Sequence, residues 1–142
     1  MAAGVFPIGM EHLPTRDATG VTVSLEMVDK ADIYIGIYAF RYGWVPEGGD
    51  VSITEMEFNH ALQRKKDGHL HELLIFIAHK DHLFTQIDIE ADATAQKRLA
   101  AFKARACDGR GRAQFSSVEE LRRQVSCAQP AGGGPGRGSG GC

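Results

Sequence analysis

The chain has 142 residues, of which 43% are hydrophobic and 24% charged, and its formal net charge is -2 at pH 7. This length and composition are typical of one globular domain with a buried core. The nearly neutral charge gives no electrostatic reason to expect nucleic acid or an anionic membrane as a partner. No apolar run approaches the roughly 20 residues of a membrane helix, and the N-terminal MAAGVFPIGM lacks the basic region of a signal peptide. We therefore expect a cytoplasmic protein.

The first half of the chain alternates β-rich runs with stretches of helical period. Val5 to Met10 predicts a strand, and the following helix carries Val21, Leu25 and Val28 at spacings of four and three. The run from Ile33 to Ala39 is continuously apolar, as in a parallel strand that is covered on both faces.

The second half repeats this pattern after the loop FRYGWVPEGGD and a helix that begins near Ser52. Leu73 to Ala78 reads as another buried strand, AQKRLAAFKARA as a helix, Ala113 to Phe115 as a short strand and SSVEELRRQV as a capped helix. Four strands and four helices in alternation predict a three-layer α/β fold with a parallel sheet.

Two boundaries follow from this order of elements. The glycine-rich and proline-rich segment at 130–142 has almost no apolar side chains, so we expect a disordered tail after a domain at 1–129. In an open parallel sheet, the ligand crevice lies beyond the carboxyl ends of the strands. Here the loops 12–20, 40–51, 79–92 and 116–117 would form it.

The helix start DVSITEMEFNHAL contains two glutamates whose roles differ. If Ser52 is the N-cap, its oxygen accepts from the amide of Glu55, and the Glu55 carboxylate reaches back to the amide of Ser52. A cap at Thr54 would give the same structural role to Glu57. Because helical residues advance by about 100°, Glu55 and Glu57 project roughly 200° apart, which argues against a close catalytic pair.

Several segments resemble one known family: FPIGMEHLP, DIYIGIYAFRYGWVPEGGDVSITEMEFNHAL and ELLIFIAHK. They are similar to an uncharacterised TIR-like family catalogued as domain of unknown function 4062, over roughly Val5 to Ala128. That family commonly stands at the N-terminus of STAND or NACHT signalling NTPases, ahead of TPR or WD repeats. The resemblance implies a flavodoxin-like or TIR-like fold. Family members usually begin with one more strand and helix, so we expect this chain to start at the family's second strand.

A more distant resemblance concerns the pattern Thr54-x-x-Glu57-Phe58-x-x-Ala61, which is similar to the helix start of TIR domains and of nucleoside deoxyribosyltransferase-like proteins. It implies that Glu57 is a catalytic carboxylate acting on the ribosyl carbon of NAD or of a nucleoside. TIR enzymes also place a serine near this glutamate, which Ser52 would match. However, no cysteine lies near it, and Trp44 is displaced into the preceding loop.

Three further residues are candidates for binding substrate. Arg41 follows a central strand and would offer a bidentate fork to a phosphate, while Tyr42, or Trp44, would stack on a base. His12 follows the first predicted strand, where a crevice residue should lie. Each has a structural alternative: a salt bridge for Arg41, packing of the loop for the two aromatic residues, and capping of the strand end for His12.

The sequence supports two functional hypotheses. The favoured one is a non-catalytic signalling or protein-interaction domain, whose partners are its own copies or NTPase and repeat modules. The alternative is a glycohydrolase of NAD or a related nucleotide that uses Glu57. The six histidines and three cysteines match no strong metal-ligand spacing, so neither a metal nor another cofactor is predicted.

Overall fold

A computed structural model describes residue 8 and the ranges 18–83, 89–108 and 112–128. These ranges contain four helices and three strands in alternating order. They are α1 (Ala18–Lys30), β1 (Ile33–Tyr38), α2 (Ile53–Lys66), β2 (Glu72–Ala78), α3 (Ala93–Cys107), β3 (Arg112–Phe115) and α4 (Val118–Ala128).

The three described strands form one parallel sheet in the order β1-β2-β3. Helix α2 connects β1 to β2, and α3 connects β2 to β3, so each crossover helix joins neighbouring strands. Helices α1, α2 and α3 contribute to the core on one face of the sheet, and α4 packs against the other face. The predicted three-layer α/β architecture with a parallel sheet is therefore confirmed, and it is consistent with a flavodoxin-like fold.

The larger core lies between the sheet and the first three helices. Its centre is aromatic: the ring of Tyr38 meets Phe102 at 4.7 Å and Phe58 at 6.5 Å between centroids, all in edge-to-face arrangements. Phe58 and Phe102 are almost completely buried. Since truncating such a ring costs about 3 to 5 kcal/mol, this triad fixes how β1, α2 and α3 pack together.

Strand β1 has one buried face and one exposed face. Tyr34, Gly36 and Tyr38 point toward the core, whereas Ile35 is 38% exposed and Ile37 is 50% exposed. The prediction that this strand is covered on both faces is wrong for the described part of the chain. The reason is that α4 packs only over β2 and β3, so its apolar side does not reach β1.

The buried face of β1 depends on a glycine. The Tyr38 side chain leans back over Gly36, so that its hydroxyl lies 3.0 Å from the hydroxyl of Tyr34. A Cβ at position 36 would lie 2.6 Å from Cζ of Tyr38 and 3.0 Å from Cδ1 of Ile75. Gly36 therefore has a packing role, because only a residue without a side chain leaves room for the ring.

The positions of the helices and of the described strands agree with the sequence predictions. The four helices and the three later strands lie where the periodicity predicts them, within a few residues at each end. Most of the predicted Val5 to Met10 strand lies outside the described residues, although Ile8 is described and is 52% exposed outside any strand. The predicted tail at 130–142 also lies outside them. None of the helices in the described ranges is long and apolar enough to cross a membrane.

We expect Gly36→Ala to destabilise the domain by about 1 to 3 kcal/mol, because the added methyl group displaces the Tyr38 ring. Elsewhere in a strand, replacing glycine with alanine stabilises it slightly. Urea unfolding measures the change. In a Tyr38→Leu background no ring leans over position 36, so the same substitution should cost much less. An equal cost in both backgrounds would rule out the proposed contact.

Candidate functional site

The start of helix α2 is held by a serine cap and a tyrosine. Ser52 is fully buried with extended backbone angles, and its Oγ accepts from the amide of Glu55 at 3.2 Å, as predicted. The predicted return contact is wrong: the amide of Ser52 donates to the hydroxyl of Tyr42 at 3.4 Å, not to Glu55. The capping box is half formed, because the Glu55 carboxylate has other donors.

Those donors are Tyr42 and Arg105. The Tyr42 hydroxyl and the Arg105 guanidinium both donate to the Glu55 carboxylate. Burial raises the pKa of the Tyr42 phenol, and its hydrogen bond to Glu55 adds to this. The network ties the loop after β1 to both α2 and α3. Tyr42 is only 2% exposed, so in this structure its ring packs inside the protein and presents no face for a base.

Glu57 lies in a separate buried cluster between α1, α2 and β1. It is 7% exposed, and its carboxylate accepts a hydrogen bond from Ser24 of α1, which is fully buried. Burial raises the pKa of Glu57, while the Ser24 hydrogen bond opposes that shift. The Glu57 charge in turn raises the pKa of Tyr34 and Tyr38, after the larger effect of their own burial.

The two glutamates face different neighbours, as the helical spacing predicts. Glu55 meets Tyr42 and Arg105, whereas Glu57 meets Ser24. A buried carboxylate with a raised pKa is a common feature of active sites, but it also occurs in structural polar clusters. The sequence does not single out Ser24, since a serine within a helical pattern carries no signal of its burial or partner.

A cavity of about 400 Å³ opens beyond the carboxyl ends of β1 and β2, the edge where a ligand crevice is expected. Arg41 lines it, as predicted, but Glu57, Tyr42 and Ser52 do not. His12 lies outside the described residues. The lining comes from the end of β1 and the loop after it, the first turn of α2, the loop after β2, and α3. It comprises Ile37, Tyr38, Ala39, Phe40, Arg41, Gly43, Thr54, His82, Leu83, Leu99 and Phe102.

The cavity and the Glu57 cluster are therefore distinct. Arg41 is exposed at the cavity, while the Glu57 carboxylate is enclosed between helices and bonded to Ser24. Of the four predicted site residues that the structure describes, Arg41 lines the cavity, whereas Tyr42, Ser52 and Glu57 do not. Within the described residues, no group of three or more histidine, cysteine, aspartate or glutamate side chains is arranged to hold a metal ion.

One comparison with known proteins matches this chain to a family. The model of a family described as Domain of unknown function (DUF4062) matches residues 1–128. No curated protein and no solved structure matches the chain significantly.

We expect Glu57→Gln to stabilise the domain at neutral pH by about 1 to 3 kcal/mol, since the amide keeps an acceptor for Ser24 without a buried charge. Burial raises the folded-state pKa of Glu57, so the protonated acid favours folding at low pH and this contribution is lost as pH rises through the raised pKa. The difference in unfolding free energy between Glu57→Gln and wild type should therefore shrink as the pH falls through the raised pKa, and it should be smallest below pH 4.5, the ordinary glutamate pKa.

Urea unfolding of the wild type and of Glu57→Gln at several pH values measures this difference in unfolding free energy. Glu55→Gln is the matched control, because it removes a charge that faces Arg105 and should not stabilise the protein at neutral pH. A Glu57→Gln protein that is less stable than wild type at neutral pH would contradict this description of the cluster.

Proposed function

The chain belongs to the DUF4062 family, and we propose that it is a protein-interaction domain that associates with a second copy of itself through strand β1. The observation that carries this proposal is the exposed apolar face of β1 at the edge of the described sheet. Ile35 and Ile37 are 38% and 50% exposed there. Among the described residues, β1 pairs with β2 on one side only.

An edge strand with these properties favours pairing with another strand. It presents unpaired backbone donors and acceptors, which natural edge strands protect with lysine, proline, bulges or short length. The sequence IYIGIY contains no charged residue and no proline, and its six residues are the length of an ordinary strand. The edge of β1 therefore lacks the side-chain features that prevent strand addition.

A second copy of the chain fits this edge if the predicted Val5 to Met10 strand of the same chain does not occupy it. Two β1 strands that meet antiparallel about a twofold axis would pair backbone with backbone and join the two described three-stranded sheets into one sheet. The strand carries no charge, so two identical copies meet without repulsion along it. The same approach would bring Ile35 and Ile37 of each copy against apolar side chains of the other.

Geometry gives less support to the glycosidic alternative. Its catalytic candidate, Glu57, is 7% exposed, accepts from Ser24 and does not line the cavity that contains Arg41. If Arg41 held a nucleotide in that cavity, the ribosyl carbon of the nucleotide would not contact the Glu57 carboxylate. The Glu57 cluster would first have to open. Hydrolysis of NAD or a nucleotide stays an untested prediction.

The role in signalling rests on the resemblance to the N-terminal domains of STAND-type NTPases. Domains in that position connect a receptor to its neighbours by protein contacts, and self-association through β1 would supply such a contact. The cytoplasmic location that the composition favours is part of the same proposal. NTPase or repeat modules would then be recruited by surfaces other than β1.

We expect Ile35→Lys to weaken self-association at least about tenfold, because a lysine on the edge strand places two like charges across the twofold interface. Ile35 is partly exposed and does not line the cavity, so the fold and the cavity should be retained. Sedimentation equilibrium over a range of protein concentrations measures the dissociation constant, and far-UV circular dichroism checks folding.

Val118→Lys is the matched control. Val118 is 58% exposed on α4, beside β3, so this substitution adds the same charge to another exposed apolar position. It should leave the dissociation constant within about twofold of the wild-type value. A wild-type protein that is monomeric at all accessible concentrations, or equal weakening by both substitutions, would refute association through β1.

A further inference from the structure

The cavity beyond the carboxyl ends of β1 and β2 has the size and position of a small-molecule site. Its volume of about 400 Å³ lies within the range of roughly 300 to 1,000 Å³ for ligand pockets. In open parallel sheets, ligands bind outside the carboxyl ends of the strands. Gly43 of its wall has a φ of 95°, and a Cβ there would lie 3.0 Å from Oγ1 of Thr54, so the loop packs closely on α2.

One cation lines this cavity and a second lies beside it, and neither has an acidic partner among the described residues. Arg41 is exposed on its wall, and no carboxylate among the described residues lies within 4.0 Å of its guanidinium. Lys103 of α3 places its Nζ 5.2 Å from the ring centroid of Phe40, another wall residue, and it too forms no ion pair in the described ranges. Burial lowers the pKa of the Lys103 ammonium, which indicates a partly desolvated cation.

Three acidic residues in the described part of this region have other partners. The Glu90 side chain accepts from the backbone amide of Tyr42 at 3.3 Å, and the Glu90 amide donates to the carbonyl of Phe40. Asp50 pairs with Arg98 at 3.2 Å, and Glu55 pairs with Arg105. None of these acidic side chains lines the cavity, so its charged groups favour an anion.

Apart from Thr54 and His82, the rest of the lining is apolar or aromatic, and one polar atom of His82 is unsatisfied among the described residues. His82 lies nearly parallel to Phe40, with ring centroids 6.5 Å apart and an interplanar angle of 20°. Its Nδ1 is buried and has no hydrogen-bond partner among the described residues. A buried polar atom without a partner costs free energy, so a ligand that bonds to it gains affinity. Leu99 and Phe102 form the opposite, apolar part of the wall.

We propose that this cavity binds a nucleoside monophosphate, with its phosphate at Arg41 and Lys103 and its planar base against the aromatic wall at Phe40 and His82. An arginine fork matches two phosphate oxygens, and the ammonium adds a point charge. The proposed ligand includes a base because a phosphate alone would leave the apolar and aromatic surface of the cavity uncovered. The volume lies within the range for small-molecule ligands.

Isothermal titration calorimetry on the full chain tests this site with three probes: adenosine 5′-monophosphate, adenosine and inorganic phosphate. We expect the monophosphate to bind, and adenosine or inorganic phosphate alone to bind at least about tenfold more weakly. Arg41→Gln should weaken monophosphate binding by about tenfold or more. Lys103→Gln should also weaken it. Binding should decrease as the salt concentration rises.

Arg98→Gln is the control, because Arg98 lies on the same helix as Lys103 but pairs with Asp50 and does not line the cavity. It should leave monophosphate binding unchanged. Thermal unfolding of each variant verifies that the fold is retained. The proposal is overturned by a wild-type protein that does not bind the monophosphate at millimolar concentration, or by equal effects of Arg41→Gln and Arg98→Gln. Ile35→Lys should leave this binding unchanged, which separates this test from the test of self-association.

Discussion

The alternation of side chains along β1 is the constraint on which the rest of this structure depends. A strand sends successive side chains to opposite faces, so the residues that complete the core, Tyr34 and Tyr38, oblige Ile35 and Ile37 to point the other way. Helix α4 covers that second face only over β2 and β3. The packing that stabilises one face therefore creates the exposed apolar surface to which we assign the interaction with a second copy.

Two polar networks position the elements around this strand. The Tyr42 hydroxyl, bonded to Glu55 and Ser52, fixes the loop that leads from β1 into α2 and so shapes the cavity wall at Arg41. Glu57 holds α1 to α2 through Ser24 at the cost of a buried charge. In some proteins a buried charge specifies a unique packing, so the pH dependence of the stability of this cluster is informative.

The sequence predicts most of the fold because the signals for helices and strands are local. The apolar stripe of Phe58 and Ala61 and the continuous run of β2 lead directly to buried faces. Such local patterns do not predict contacts between segments that are distant in the sequence. The sequence identifies Ser52 as a cap, yet the tyrosine ten residues earlier takes the place predicted for Glu55. Likewise, no local pattern reveals that α4 leaves β1 uncovered, or that Glu57 is enclosed by α1.

Amide hydrogen exchange of β1, followed by NMR as a function of protein concentration, tests the central claim most directly. Half of the amides from Ile33 to Tyr38 face β2, and the others face the free edge of the described sheet. We predict that the outward amides exchange rapidly in dilute protein and become protected as the concentration rises, while β2 stays protected throughout. Exchange rates in β1 that do not change with concentration would contradict association through this edge.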